Sequence, residues 1–304
     1  MEVVAGSVHY LAGESTAIAA ALDGWPALPT SRRPRATGDN GPARTLVQNV
    51  ETLTRVALVA RGLEGPQVSL LTVIGPRDRQ VLQVPHGMRF RDVLAMTGAL
   101  RAGPPQAVLL GGFGGTWARW SQVEGLAVEE FAVRRAGLSL GAGVVAPVWP
   151  GACGVAEAAA VATYLAAMSA RQCGPCMFGL PALADDLRRL ALGLGPRRNR
   201  GRLDDLLGAV AGRGACHHPD GATGMIASAI TAFSADVEAT GAVDRASEQV
   251  GSPFPCRTWP GDRAAAGVAA AGRPDRLPGG RLVRPRSGPR RRPRPVGLPD
   301  PRRR

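Results

Sequence analysis

Residues 169–179 read SARQCGPCMFG, and residues 212–221 read GRGACHHPDG. The first stretch sets Cys173 and Cys176 two residues apart on a turn, and the second supplies Cys216 from a loop, 39 intervening residues beyond Cys176. Thiolates at this C-x-x-C spacing can bind one face of a metal or cluster, and a distant loop cysteine can complete the cage. Three cysteines are one short of a standard 4Fe-4S set. Spare donors close by are His217, His218, Asp220 and Ser169. Other readings compete with this one. Zinc held by Cys173, Cys176, Cys216 and His217 or His218 is chemically sound. CGPC is also a dithiol motif for disulfide exchange, although Gln172 precedes it and the upstream element reads as helical. Cysteine is, finally, commonly buried as a small hydrophobe, the preferred reading for Cys153.

Outward from the cysteines, four helical segments follow one another, separated by Gly- or Pro-bearing turns: VAEAAAVATYLAAMSA (155–170), PALADDLRRLALG (181–193), RLDDLLGAVAG (202–212) and ATGMIASAITAFSADVEA (222–239). Short connections favour antiparallel neighbours, and a stripe such as Leu183, Leu187 and Leu190 faces inward, so a small four-helix bundle is expected. Its loop ends can bring the three cysteines together. Further upstream, VSLLTVIG (68–75), RQVLQVPHGMRFRDVLAMTGAL (79–100) and AVLLGGFGGTWARW (107–120) read as strand, strand then helix, and strand. Within them HGMRFRDVLAMTG is a glycine turn before an amphipathic helix that carries Phe90, Val93 and Leu94 at helical spacing. A small β-grasp (ubiquitin-like) module fits this order. GGFGG at Gly111–Gly115 is a turn and not a phosphate loop, because no helix opens after it. The uncharged run Ala136–Ala156 has membrane-like length, yet Pro147, Pro150 and several glycines make it a buried strand followed by a turn. Before all this lie a helical patch, ESTAIAAAL, a Pro/Arg/Gly connector from Trp25 to Ala43, and a second helix in QNVETLTRVALVA. The class is α+β, divided as 1–62, 63–146, 147–240 and a disordered Arg/Pro-rich tail, 241–304.

At 304 residues and 45% hydrophobic content, the chain can fill the cores of about two domains. Its net charge is +13, and ten of those charges fall in residues 273–304, an Arg/Pro/Gly segment that cannot pack. A nucleic-acid footprint belongs on a folded face, and 4% aromatic content offers few stacking platforms, so no nucleic-acid partner is expected. Lysine is absent, which excludes a P-loop lysine and Schiff-base chemistry. The Ala, Gly, Pro and Arg bias after about Thr240 reads as a shifted frame or a stretch outside selection. MEVVAGSVHYLAGES at the start carries Glu2 and no basic region, so no secretory signal is expected. Five cysteines, an odd number, fit a reducing cytoplasm and no membrane insertion.

The order of these pieces resembles the NADH-binding flavoprotein subunit of respiratory complex I and of related NAD-linked hydrogenases and formate dehydrogenases. The resemblance runs from Met1 to about Ala239. The family's iron-sulfur pattern is roughly S-C-G-x-C-x-P-C-R, then one cysteine about forty residues later. Aligned on it, Cys173, Cys176 and Cys216 take the second, third and fourth ligand positions, and Ala170 falls on the first. LAGESTAIAAALDGWPALP is similar to the family's C-G-E-E-T-A-L segment, and TLVQNVETL to its T-x-V-N-N-V-E-T-L, with Ser15 in place of a glutamate and Gln48 in place of an asparagine. Those segments line the flavin mononucleotide in the family, which makes Gly13, Glu14, Asn49 and Thr52 the candidate FMN residues. The resemblance implies an iron-sulfur cluster, electron transfer, and other redox subunits or a ferredoxin-like acceptor as partners. The first segment is then the remnant of a flavin-binding α/β domain, the second the family's soluble ligand-binding β-grasp domain, and the third its iron-sulfur domain. The family's glycine-rich NADH and flavin phosphate segments are expected upstream of GEST and are not found in the sequence, so NADH oxidation by these residues alone is not expected. A non-catalytic docking remnant is the reading from a different class.

Overall fold

Successive side chains of a strand point to opposite faces, so a strand apolar throughout must be covered twice. Ala107–Leu110 (β3, AVLL) is such a strand, with all four residues buried. A computed structural model describes residues 5–30, 46–63, 67–75, 78–194 and 199–237 and shows what covers each face. All of these lie in the unit Met1–Gly272. The segment expected to form an Arg/Pro-rich tail lies outside the described residues, as do Cys256 and most of the Trp25–Ala43 connector.

The described residues form a mixed α+β structure around one five-stranded sheet. Val68–Ile74 (β1) and Arg79–Pro85 (β2) are an antiparallel hairpin, β3 and Thr116–Arg119 (β4) are another, and Val144–Val148 (β5) lies between them. The order is β2-β1-β5-β3-β4, with β1 and β5 parallel and every other pair antiparallel. As expected, the uncharged run supplies a strand, β5, and then a turn, and GGFGG is the connection between β3 and β4. Glycine is obligatory at Gly115, where a Cβ would stand 1.8 Å from the Leu110 carbonyl oxygen.

One face of the sheet carries Leu71, Val73, Val108, Leu110, Ala118 and Val145. Phe90–Met96 (α3) covers it with Phe90, Val93 and Leu94, none of which keeps any solvent exposure. Trp120–Val123 (α4) and Glu130–Arg135 (α5) complete that layer through Trp120, Val123 and Val133. The opposite face carries Ala107, Leu109, Trp117 and Val148, and these belong to the same core as four helices. The helices are Gly154–Ala167 (α6), Leu180–Ala191 (α7), Asn199–Val210 (α8) and His218–Ala232 (α9). The interior of α7 is Leu180, Leu183, Ala184, Leu187 and Ala191, a 3.6-residue stripe, and Leu190 packs at its margin. Each fully buried leucine there contributes about 2 kcal/mol. Asp186, buried on the same helix, lies 2.9 Å from Arg202 of α8 as an ion pair that is not aligned as a hydrogen bond.

Helix α9 closes the outer strand. The Trp117 backbone N–H of β4 donates to Ser228 Oγ at 3.0 Å, and the Trp117 indole N–H points to Met225 Sδ at 3.3 Å. Arg119 donates to the Thr231 and Ala232 carbonyls and to Ser234 Oγ, which satisfies the last turn of the helix. Two further helices precede the sheet, Ser15–Leu22 (α1) and Val50–Ala60 (α2). Helix α2 buries none of its residues, and Val50, Leu53, Val56 and Val59 are exposed. No helix among the described residues is long and apolar enough to cross a membrane.

A close helix contact lies at the start of α6, where a Cβ at Gly154 would stand 2.0 Å from the Phe233 ring. An aromatic ring wedged between β4 and α6 has little room to yield, so Gly154→Ala is expected to lower unfolding free energy by about 1–3 kcal/mol. Urea denaturation measures this as a fall in midpoint, and Phe233→Leu in the same chain should restore part of it.

Candidate iron-sulfur site

The end of α6, the start of α7 and the approach to α9 meet at one end of the helical layer. After α6 the chain turns through Met168–Gln172, and Arg171 adopts φ 52°, the single positive φ of a non-glycine residue among those described. A side chain in this left-handed region costs about 1–2 kcal/mol, and such outliers gather where the backbone has a job. Here the Arg171 backbone N–H faces the Cys176 thiol. Pro175–Gly179 then forms one π-helical turn, closed by the Leu180 N–H on the Pro175 carbonyl, and runs directly into α7. Wide turns of this kind recur at functional sites. Its far end is held by α8, since a Cβ at Gly179 would lie 2.4 Å from Val210.

Cys216 arrives from the other side. Its loop is drawn tight by the Gly212 N–H, which donates to Asp220 Oδ1 at 2.8 Å, and by Gly214, where a Cβ would approach the Cys216 carbonyl to 2.7 Å. Cys176 and Cys216 are 2% and 7% exposed, whereas Cys173 is half-buried. None of Cys153, Cys173, Cys176 and Cys216 is in a disulfide.

The three thiols sense one another. Burial pushes the Cys176 thiol up to about 12, helped by its bond to Cys173 and by the charges of Cys173 and Cys216, and opposed by the Arg171 N–H. For Cys173 burial acts in the same upward direction, but the backbone N–H groups of Ala215 and Cys176 and the Cys176 thiol outweigh it and hold the group below its ordinary value. The Ala215 N–H belongs to the residue before Cys216, so the loop and the turn are in contact.

Among the described residues no three of His, Cys, Asp and Glu form a group able to hold a single metal ion. A lone ion requires its donors to converge at bond length. A cluster instead takes one thiolate at each of its irons, and three neighbouring thiols fit three of those positions. Of the spare donors named from the sequence, Ser169, His218 and Asp220 are engaged elsewhere. Ser169, buried, donates to the Cys176 carbonyl at 3.4 Å. His218, also buried, lies with Nε2 2.9 Å from the Leu165 carbonyl, and burial together with His9 lowers its affinity for a proton. His217 is exposed, with Nδ1 3.9 Å from Asp220. Cys153 precedes α6, whose fourteen residues span about 20 Å to the cysteine turn.

The candidate flavin residues sit at two helix starts. Glu14 caps α1, its carboxylate accepting from the Thr16 and Ala17 N–H groups at 2.9 and 3.1 Å. Asn49 caps α2 by accepting from the Thr52 N–H at 2.8 Å. Gly13 ends the short 3-10 helix Tyr10–Gly13, with open space where a side chain would begin. Tyr10 joins this segment to the cysteine end. Its ring meets Tyr164 and His218 edge-on, each at 5.8 Å, and Phe113 adds a further contact on Tyr164 at 5.0 Å. Sequence reasoning assigned no part to Tyr10, Arg171 or Ala215. A tyrosine three residues before Gly13 was a signal of sorts; a left-handed arginine and a backbone N–H leave none.

In the metal-free protein, Cys173 should be alkylated by iodoacetamide at least about tenfold faster than Cys176, because the thiolate is the reacting form. Peptide mass spectrometry over a time course measures both rates, and equal rates would mean that the two thiols are not split as described.

The chain is similar to known proteins over most of its length. The family model for the NADH-ubiquinone oxidoreductase-F iron-sulfur binding region matches residues 156–240. The F-type NADH-quinone oxidoreductase subunit in Escherichia coli (strain K12) is 30% identical over 249 residues, covering 77% of this chain and 56% of that protein. Its counterpart in Streptomyces coelicolor is 26% identical over 253 residues, 78% of this chain and 56% of that protein. A chain in the crystal structure of an NAD+-reducing [NiFe]-hydrogenase in the H2-reduced state superimposes with a TM-score of 0.65 at 26% identity, over 89% of this chain and 46% of that one. The chain thus spans about half the length of the relatives it matches.

Proposed function

For this chain, a distant homologue of the F-type NADH-quinone oxidoreductase subunit with that family's iron-sulfur binding region at residues 156–240, we propose electron transfer through a cluster held by Cys173, Cys176 and Cys216. The observation that carries the proposal is the gathering of the three cysteines at one end of the helical layer: the Cys176 thiol is hydrogen-bonded to Cys173 and feels the charge of Cys216, and the Ala215 N–H reaches Cys173. A bound iron-sulfur cluster supplies one-electron storage at a potential set by its surroundings. The protein's part is to hold it and tune it. Burial of Cys176 and Cys216 keeps water from two of the sulfurs, and the N–H groups of Arg171 and Ala215 direct positive dipoles at the thiolates. Cys176 must lose its proton before it ligates, so loading is coupled to pH.

We read the sheet as a β-grasp module, supported by its order, its single parallel pair and the placing of α3 after the first hairpin. The Gly13–Glu14 turn and the Asn49–Thr52 cap are proposed as the flavin-facing segments. Tyr10 supports this by linking the first of them to His218, two residues beyond Cys216. Within these 304 residues the proposal covers electron transfer and not hydride abstraction from NADH. Partners are other redox subunits or a ferredoxin-like acceptor, and thiols outside disulfides suit a reducing cytoplasm.

One observation favours a second reading. A half-exposed Cys173 with a lowered thiol beside a buried Cys176 with a raised one is also how a dithiol exchanger divides its labour. Anaerobic reconstitution of the full chain with ferrous iron and sulfide separates the two. The expected result is a brown protein with broad visible absorption and bound iron and sulfide, lost in Cys173→Ala, Cys176→Ala and Cys216→Ala. A colourless, metal-free protein that reduces insulin disulfides would transfer the case to thiol exchange. One that is colourless and inactive would leave a docking module.

A further inference from the structure

A four-iron cluster asks for four ligands, and this site offers three thiols. Among the described residues, where a fourth could come from is limited by the packing. Position 170, at the turn facing Cys176, is an alanine and has no donor. Ser169 is turned to the Cys176 carbonyl, His218 to the Leu165 carbonyl, and Cys153 lies at the other end of α6; His217, exposed beside Cys216, lies on the α9 side of the site and not at the Ala170 turn. The side of the site without a donor is also its open side. Ala170 is partly exposed, and Arg171, Gln172 and Gly174 are exposed, while Cys176 and Cys216 lie within the core.

Resting on the cluster reading above, we infer that this chain holds a cluster in which one iron, on the Ala170 side, has no protein ligand and is exchangeable with solvent. Three irons are retained by Cys173, Cys176 and Cys216. The fourth takes a small ligand from solution, water or an added thiol, and leaves on oxidation. The balance is simple: a cluster of two ferric and two ferrous irons with four sulfides, charge +2, gives one electron to a one-electron oxidant and releases one Fe²⁺. Three ferric irons and four sulfides remain, charge +1. Returning Fe²⁺ and one electron rebuilds the original cluster. The site is therefore a reversible iron exchanger as well as an electron carrier, which a closed four-cysteine site is not.

The test uses the full chain, reconstituted anaerobically and titrated with ferricyanide, with iron and acid-labile sulfide counted per chain and EPR recorded on the oxidised samples. The wild-type protein is expected to lose one iron in four with its sulfide intact and to show the signal of a three-iron cluster, reversed by ferrous iron and dithionite. Ala170→Cys is expected to keep all four irons through the same titration. If the wild-type chain keeps four irons, the inference is overturned, and loss of the fourth in His217→Ala or Cys256→Ser would then identify the ligand. If Ala170→Cys loses iron as readily as wild type, position 170 is not the open side and the inference fails while the cluster reading stands. If neither protein takes up iron, the cluster reading itself falls, and this inference with it.

Discussion

The contact on which the rest depends is that of Trp117 with α9. Its backbone N–H is held by Ser228, its indole meets Met225, and its ring packs edge-on against Phe233 at 5.1 Å. This places α9 on the sheet. Phe233 then sets how closely α6 can lie, and α6 carries α7 beside it. The cysteine turn connects α6 to α7, and Cys216 lies one residue before His217, the cap of α9. A side chain of the sheet thus determines where three thiols from two distant stretches of sequence meet.

Much of this was legible. The strands of the middle segment, the helix carrying Phe90, Val93 and Leu94, the stripe on α7 and the strand within the uncharged run all follow from periodicity and turn residues. What covers the sheet was not. In AVLL, Ala107 and Leu109 face the helices and Val108 and Leu110 face α3, yet the four letters read alike. A continuous apolar strand announces two covered faces without naming the covers. Helix α2 shows another limit: its letters read as a helix, but they do not tell that its apolar side chains are exposed in the described structure.

At the site the same division holds. Cysteine spacing brought Cys173, Cys176 and Cys216 forward as candidates; in the structure the Cys173 and Cys176 thiols are hydrogen-bonded, and Cys216 is near enough for its charge to act on Cys176. The unequal readiness of the thiols to ionise depends on burial and on backbone N–H groups, which no side-chain letter encodes. Glu14 and Asn49 were singled out by resemblance, and each also has a plain local duty as a helix cap.

The shared face of the sheet has a consequence for anyone dividing this chain. Residues 147–240 read as a separate helical module, yet removing them would lay Ala107, Leu109 and Trp117 open to water in one patch, with the β4 edge unprotected. Sheet and helices share one core, and a fragment ending between them would expose an aggregation-prone face.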